Sequence, residues 1–169
     1  PWISGNLHLA SPLTFGEIGA QVSVNVTTKN FGRSPAIRVS IWPKLIHWFN
    51  EKPFSIPAAI RDRRESVERQ KQGAIFWFSL FPGETRMQSH VLDIKRSGID
   101  INTSGGSKPR VYMLLAIFID YEFGGGTGWT EFAYQMIGRD PEGLIDTSRV
   151  LIIQADIQLE KLPIADFAR

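Results

Sequence analysis

The sequence predicts a mainly β protein: an antiparallel, immunoglobulin-like β-sandwich carrying one substantial helix at about 57–72. Three observations lead there. Several short runs alternate apolar and polar residues, turn-forming Gly, Pro and Asn punctuate them, and strands and helices do not alternate as they would around a parallel sheet. An open sheet backed by the helix is the alternative arrangement. The 169 residues fit one domain spanning 1–169, long enough for a sizeable core without covalent staples.

The clearest strand comes early. Val22, Val24 and Val26 alternate with Ser23, Asn25 and Thr27, the period of a strand with one buried face. Ile37, Val39 and Ile41 repeat the pattern against Arg38, Ser40 and Trp42, and Pro43 is expected to end that run because it cannot donate to a ladder. Between these runs lies NFGRSPA, 30–36, an expected junction built on Asn30, Gly32, Pro35 and Ala36. Gly32 is expected to take positive φ, while Pro35 removes a donor and turns Ser34 away from helical geometry. Five or so residues suit either a hairpin or a crossover between sheets.

From Ser55 the character changes. Ser55 suits a helix cap, Pro57 a first turn and Gly73 a stop, and Arg61–Glu65, Arg64–Glu68 and Glu65–Arg69 are i,i+4 pairs. The apolar stripe of Ile56, Ala59, Ile60 and Val67 is narrow, so this helix is expected to lie on a surface with Ile56, Ile60 and Val67 against a sheet. Strand patterns resume at 74–81, turn at Pro82-Gly83-Glu84, and continue more weakly to Ile94. The segment 95–109 is polar, rich in Gly and Ser, and reads as a loop. Residues 110–123 are apolar on both faces, the mark of a central strand with cover on each side. A glycine-rich hairpin at 124–128 then leads into Phe132, Tyr134 and Met136 on one face, and 149–160 is expected to form one closing strand.

Composition narrows function by exclusion. With no cysteine there can be no disulfide, thiolate metal site or thiol nucleophile. A net charge of +2 from 19 basic and 17 acidic residues gives nucleic-acid binding no support. His8, His47 and His90 stand at no metal-ligand spacing, and no cofactor motif is present: the glycines at 124–128 lack the lysine and following helix of a phosphate loop. Asp120 and Glu122 share a strand face and could form a catalytic carboxylate pair, but a solvated strand end is the simpler reading and no nucleophile elbow accompanies them. The expectation is a protein that is not an enzyme. Trp42, Trp77 and Trp129 are the candidate contacts for an unknown protein or glycan partner, since indole rings on a sheet face can stack on sugars or anchor a protein.

Three segments, VTTKNFGRSPAIRVSIWP, FSLFPGETRMQS, and IDYEF with WTEFAYQM, together resemble a family of uncharacterised, mainly alphaproteobacterial proteins. The matching positions are Asn30, Gly32, Pro35 and Ala36, then Phe81, Pro82 and Gly83, then Tyr121, Thr130, Phe132 and Tyr134. The resemblance covers about residues 1–137. It implies an extracytoplasmic, immunoglobulin-like domain tethered to a bacterial membrane by an upstream segment of about 20 apolar residues. It supplies no catalytic residues. The start at Pro1, on an apolar run, fits an expectation that such a segment precedes this chain. The sequence gives no oligomeric state.

Overall fold

The computed structural model describes residues 1–17, 19–48, 77–95, 110–139 and 143–162. The helix expected at 57–72, with its packing of Ile56, Ile60 and Val67, lies outside them, as does the loop expected at 95–109 apart from Lys95. Eleven strands follow in chain order: β1 (Ile3–Leu9), β2 (Leu13–Gly16), β3 (Gly19–Asn30), β4 (Ala36–Trp48), β5 (Phe78–Leu80), β6 (Thr85–Lys95), β7 (Arg110–Phe123), β8 (Gly126–Gly138), β9 (Ile145–Asp146), β10 (Leu151–Ile152) and β11 (Ile157–Lys161).

Every pairing among these strands is antiparallel. In the first sheet β3 is central, with β6 along one side, β1 and then β2 along the other, and β10 beyond β2. The second sheet runs β11-β8-β7-β4-β5, and the short β9 pairs the start of β7. The two sheets share one core, in which Val22, Val24 and Val26 of β3 cluster with Met113, Leu115, Ile117 and Ile119 of β7 and with Phe132 and Met136 of β8. Fully burying side chains of this kind stabilises the fold by about 1.5–3 kcal/mol each. β7 is buried on both faces as its composition predicts, since Leu114, Ala116 and Phe118 are enclosed on the side away from that cluster.

NFGRSPA proves to be a crossover between sheets, because β3 lies in the first and β4 in the second. Asn30, fully buried, organises it. Its side-chain amide donates to the carbonyls of Ser34 (2.8 Å) and Leu80 (3.0 Å), and its Oδ1 accepts from the amides of Gly32 (2.9 Å) and Trp2 (3.3 Å). The second crossover, from β5 to β6, turns on the same residue: the Gly83 amide donates to the Asn30 carbonyl (2.8 Å) and the Asn30 amide to that of Glu84 (3.2 Å). Gly83, at φ +80 after Pro82, closes that turn with a Glu84 N–H to Phe81 carbonyl bond of 3.0 Å. Both choices follow the turn chemistry, proline presetting its own φ and glycine taking the left-handed region.

Three expectations are corrected. Gly32 is not at positive φ; glycine is needed there because an added Cβ would stand 2.5 Å from the Trp2 nitrogen and 2.6 Å from the Pro1 Cα, where the N-terminal backbone crosses the junction. Pro43 does not end its run, since β4 continues to Trp48 with Pro43 opposite Ile117. β5 reaches only as far as Val39, so beyond it the outer edge of β4 has no strand partner among the described residues, and an edge tolerates a proline. Finally, 149–160 is not one strand. β10 joins the first sheet, a single 3-10 turn at Gln154–Asp156 intervenes, and β11 joins the second. Arg139 and Arg149 hold Asp156 in that turn at 3.2 and 3.5 Å, and the Gln154 side chain donates to the Leu9 carbonyl at 3.1 Å.

Candidate functional site

The outer face of the second sheet gathers the carboxylates and tryptophans singled out by the sequence. A bulge in β4 creates the arrangement: the four residues Ile37 to Ser40 lie against the three residues Glu122 to Asp120 of β7. Arg38, with φ 49, takes up the extra length and is turned toward that face. Its guanidinium meets the Glu122 carboxylate at 3.2 Å and lies over the Trp77 ring, 5.2 Å from its centroid. Trp77 precedes the buried Phe78 and so points outward, 57% exposed. The Trp42 indole N–H donates to Asp120 Oδ1 at 2.8 Å, and Trp129 stands opposite Asp120 across the β7–β8 ladder. Trp42 and Trp129 are half-buried.

Asp120 and Glu122 thus each have a partner of their own, an indole donor and a guanidinium. Asp120 holds the Trp42 indole directly, and Glu122 holds the guanidinium that lies over the Trp77 ring. The candidate contacts are unequal. Trp77 offers a broad exposed surface with Arg38 on one ring face, while the other two are set into the sheet.

A second surface opens at the rim of the sandwich, where β1 faces β8 and β11. β1 is fastened across this gap. The Thr130 hydroxyl donates to the Ile3 carbonyl (2.7 Å), and the Tyr134 hydroxyl to Asn6 Oδ1 (2.7 Å). Tyr121 lies in the same network with Thr130 and the Ile3 backbone, and burial pushes its phenol above the ordinary tyrosine range against the opposing pull of those hydrogen bonds. Between the two fastenings Gly5 lets the Phe132 ring approach, filling the space a Cβ would need. Beside it is a groove of about 290 Å³ lined chiefly by Trp2, Ile3, Phe31, Thr130, Phe132 and Lys161. Trp2 and Phe31 are 61% and 57% exposed. Lys29 lies 4.8 Å from the Phe31 centroid and Lys161 5.7 Å from that of Phe132, so the groove is aromatic in its walls and cationic at its margin.

Of the junction residues, Asn30 and Ala36 are buried while Pro35 is exposed. Residues from distant parts of the chain meet at this rim: Asn30 accepts from the Trp2 amide, Gly32 packs against the Pro1–Trp2 backbone, and Tyr121, Thr130, Phe132 and Tyr134 contact β1. The sequence reading missed Phe31, Lys29 and Lys161, and did not separate Trp2 from the other tryptophans. One signal was available, a phenylalanine inside a polar Gly/Pro junction with no alternation to bury it.

The fold and its surfaces therefore define an antiparallel two-sheet β-sandwich with an aromatic groove at its rim. No family model, curated protein or solved structure matches this chain.

Proposed function

We propose that this chain is a non-enzymatic binding or scaffolding module, an immunoglobulin-like sandwich of the bacterial envelope, and that it binds an extended protein segment through the rim groove. The groove carries the reading. Two large aromatic side chains, Trp2 and Phe31, are left open beside a buried third, Phe132, where isolated exposed apolar residues would call for no explanation. An apolar anchor side chain fits between them, and acidic residues flanking it would meet Lys29 and Lys161. The immunoglobulin-like assignment is supported by strand order: β1-β3-β6 facing β4-β7-β8 parallels the A-B-E and C-F-G strands of that fold. The envelope location and the upstream membrane tether rest on the sequence resemblance.

A second reading, a carbohydrate-binding domain, is favoured by Trp77, whose exposed ring stands beside Arg38 and Glu122, the polar partners a stacked sugar would use. Peptide display on the purified chain separates the two. Selected acidic–aromatic peptides should bind the native chain and lose at least tenfold in affinity to a Trp2→Ala, Phe31→Ala double variant, with Trp77→Ala unaffected. Unchanged binding by the double variant removes the groove. Glycan-array binding abolished by Trp77→Ala would transfer the function to the outer face.

A further inference from the structure

We infer that the free edge of β6 pairs with β6 of a second copy of this chain, antiparallel about a two-fold axis at Ser89, joining the two first sheets into one continuous sheet. The edge is long and regular. β6 makes eleven uninterrupted pairs with β3, from Thr85 to Lys95, and has no strand partner on its other side among the described residues. Short strands, prolines and bulges ordinarily blunt such an edge, and β6 has none of these.

The hydrogen bonds determine which backbone groups it offers. The Thr28 hydroxyl donates to the Arg86 carbonyl, and the Asn30 amide to the Glu84 carbonyl, so even-numbered residues turn their backbone groups toward β3. Thr85, Met87, Ser89, Val91 and Asp93 therefore turn theirs outward. Their side chains stand on the outer face of the sheet, where Met87 is 62% and Val91 65% exposed.

The occupant follows from the strand's own sequence. Antiparallel pairing centred on Ser89 sets Met87 opposite Val91 of the second copy, twice, and Thr85 opposite Asp93, twice, with the two Ser89 residues at the axis. The two most exposed apolar side chains of the edge thereby cover each other, the ten backbone bonds of five pairs form, and no like charges meet. Shifting the axis to His90 would oppose Met87 to Asp93 and Val91 to Ser89. Of these two registers, centring on Ser89 is the one that pairs the exposed apolar side chains with each other. This inference is independent of the groove, which lies across β3 on the far edge of the same sheet.

Sedimentation should show the chain reaching a dimer, twice 19.0 kDa, as its concentration rises. Ser89→Pro removes an outward N–H that β3 does not use and should leave a monomer; Val91→Lys, a change on an exposed side chain, should do the same if the proline variant fails to fold. The absence of native cysteine allows a register test with nitroxide labels on single variants. At about 3.4 Å per residue, Thr85→Cys labels should lie about 27 Å apart and Lys95→Cys labels about 41 Å apart. Equal distances near 34 Å at both positions would overturn the Ser89 register in favour of His90. A native chain that stays monomeric at several hundred micromolar, or a dimer untouched by both Ser89→Pro and Val91→Lys, would overturn the proposal.

Discussion

The two edges of the first sheet handle the same problem in opposite ways. At β1 the outward backbone groups are taken up by side chains: Ile3 by Thr130, Leu7 by Asn6, Leu9 by Gln154, with Tyr134 holding Asn6 in turn. At β6 a regular row of outward N–H and C=O groups runs from Thr85 to Asp93, with Met87 and Val91 beside it. The difference teaches where side chains from the second sheet hold an edge and where, among the described residues, the backbone groups of an edge meet no such partner. β1 is tied by side-chain hydrogen bonds to the second sheet and to the crossover, so changing its fastenings should cost stability; β6 has β3 as its strand partner and Arg86 over the Phe78 ring of β5, while Met87 and Val91 stand exposed, so changing those two should cost association.

Substitutions can break this contrast at its strongest point first. Asn30→Ala leaves two carbonyls and two amides around a buried site without their partner, and should destabilise the fold by roughly 3–5 kcal/mol, several unsatisfied groups at about 1–3 kcal/mol each less local relaxation. The urea midpoint measures it, and a loss below 1 kcal/mol would show that the crossover does not depend on Asn30. Gly32→Val forces the junction away from the Pro1–Trp2 backbone and should cost about 1–3 kcal/mol, whereas Arg33→Ala, exposed beside it, should stay within about 0.5 kcal/mol. Equal midpoints for these two variants would mean that the N-terminal backbone is free to move aside.

Single fastenings of β1 come next. Tyr134→Phe removes one hydroxyl bond to Asn6 and should cost about 1 kcal/mol, with faster amide exchange along 3–9 and unchanged exchange along 85–95. Exchange rising equally at both edges would dissolve the contrast. On the β6 side, burial lowers the pKa of His90, whose Nε2 has no hydrogen-bond partner. A depressed folded pKa means that the unfolded chain takes up the proton more readily, so stability is full above pH 6.5 and declines as pH falls through the folded value. His90→Gln should flatten that part of the stability profile, and a native profile that rises on acidification would contradict the burial of His90. The smallest effect belongs to the outer face of the second sheet. Arg38→Ala breaks an exposed ion pair with Glu122 and should change stability by no more than about 0.5 kcal/mol.

Much of the strand inventory was legible because it is local. The period of two in 22–26 and the continuous apolar run in 111–119 both arise along a single strand, one with a single buried face and the other buried on both, whatever the partner. Turn chemistry at Pro82-Gly83 is equally local. The groove was not legible, because Trp2, Phe31, Phe132 and Lys161 are neighbours only after two crossovers and the docking of β1. No pattern within any one segment marks them as a set.

The sequence by itself determined the β character, the doubly buried central strand and the turning of the chain at NFGRSPA, since each depends on residues within a few positions of one another. Tertiary structure alone decided that this turn passes between sheets, that Gly32 answers to the N-terminal backbone rather than to its own φ, and that 149–160 divides between two sheets. The reason is that backbone hydrogen bonds carry no residue identity. A strand's period reports that it has a buried face, whereas its partner is chosen by loop lengths, core packing and a few buried polar groups such as Asn30, acting over separations that periodicity does not encode.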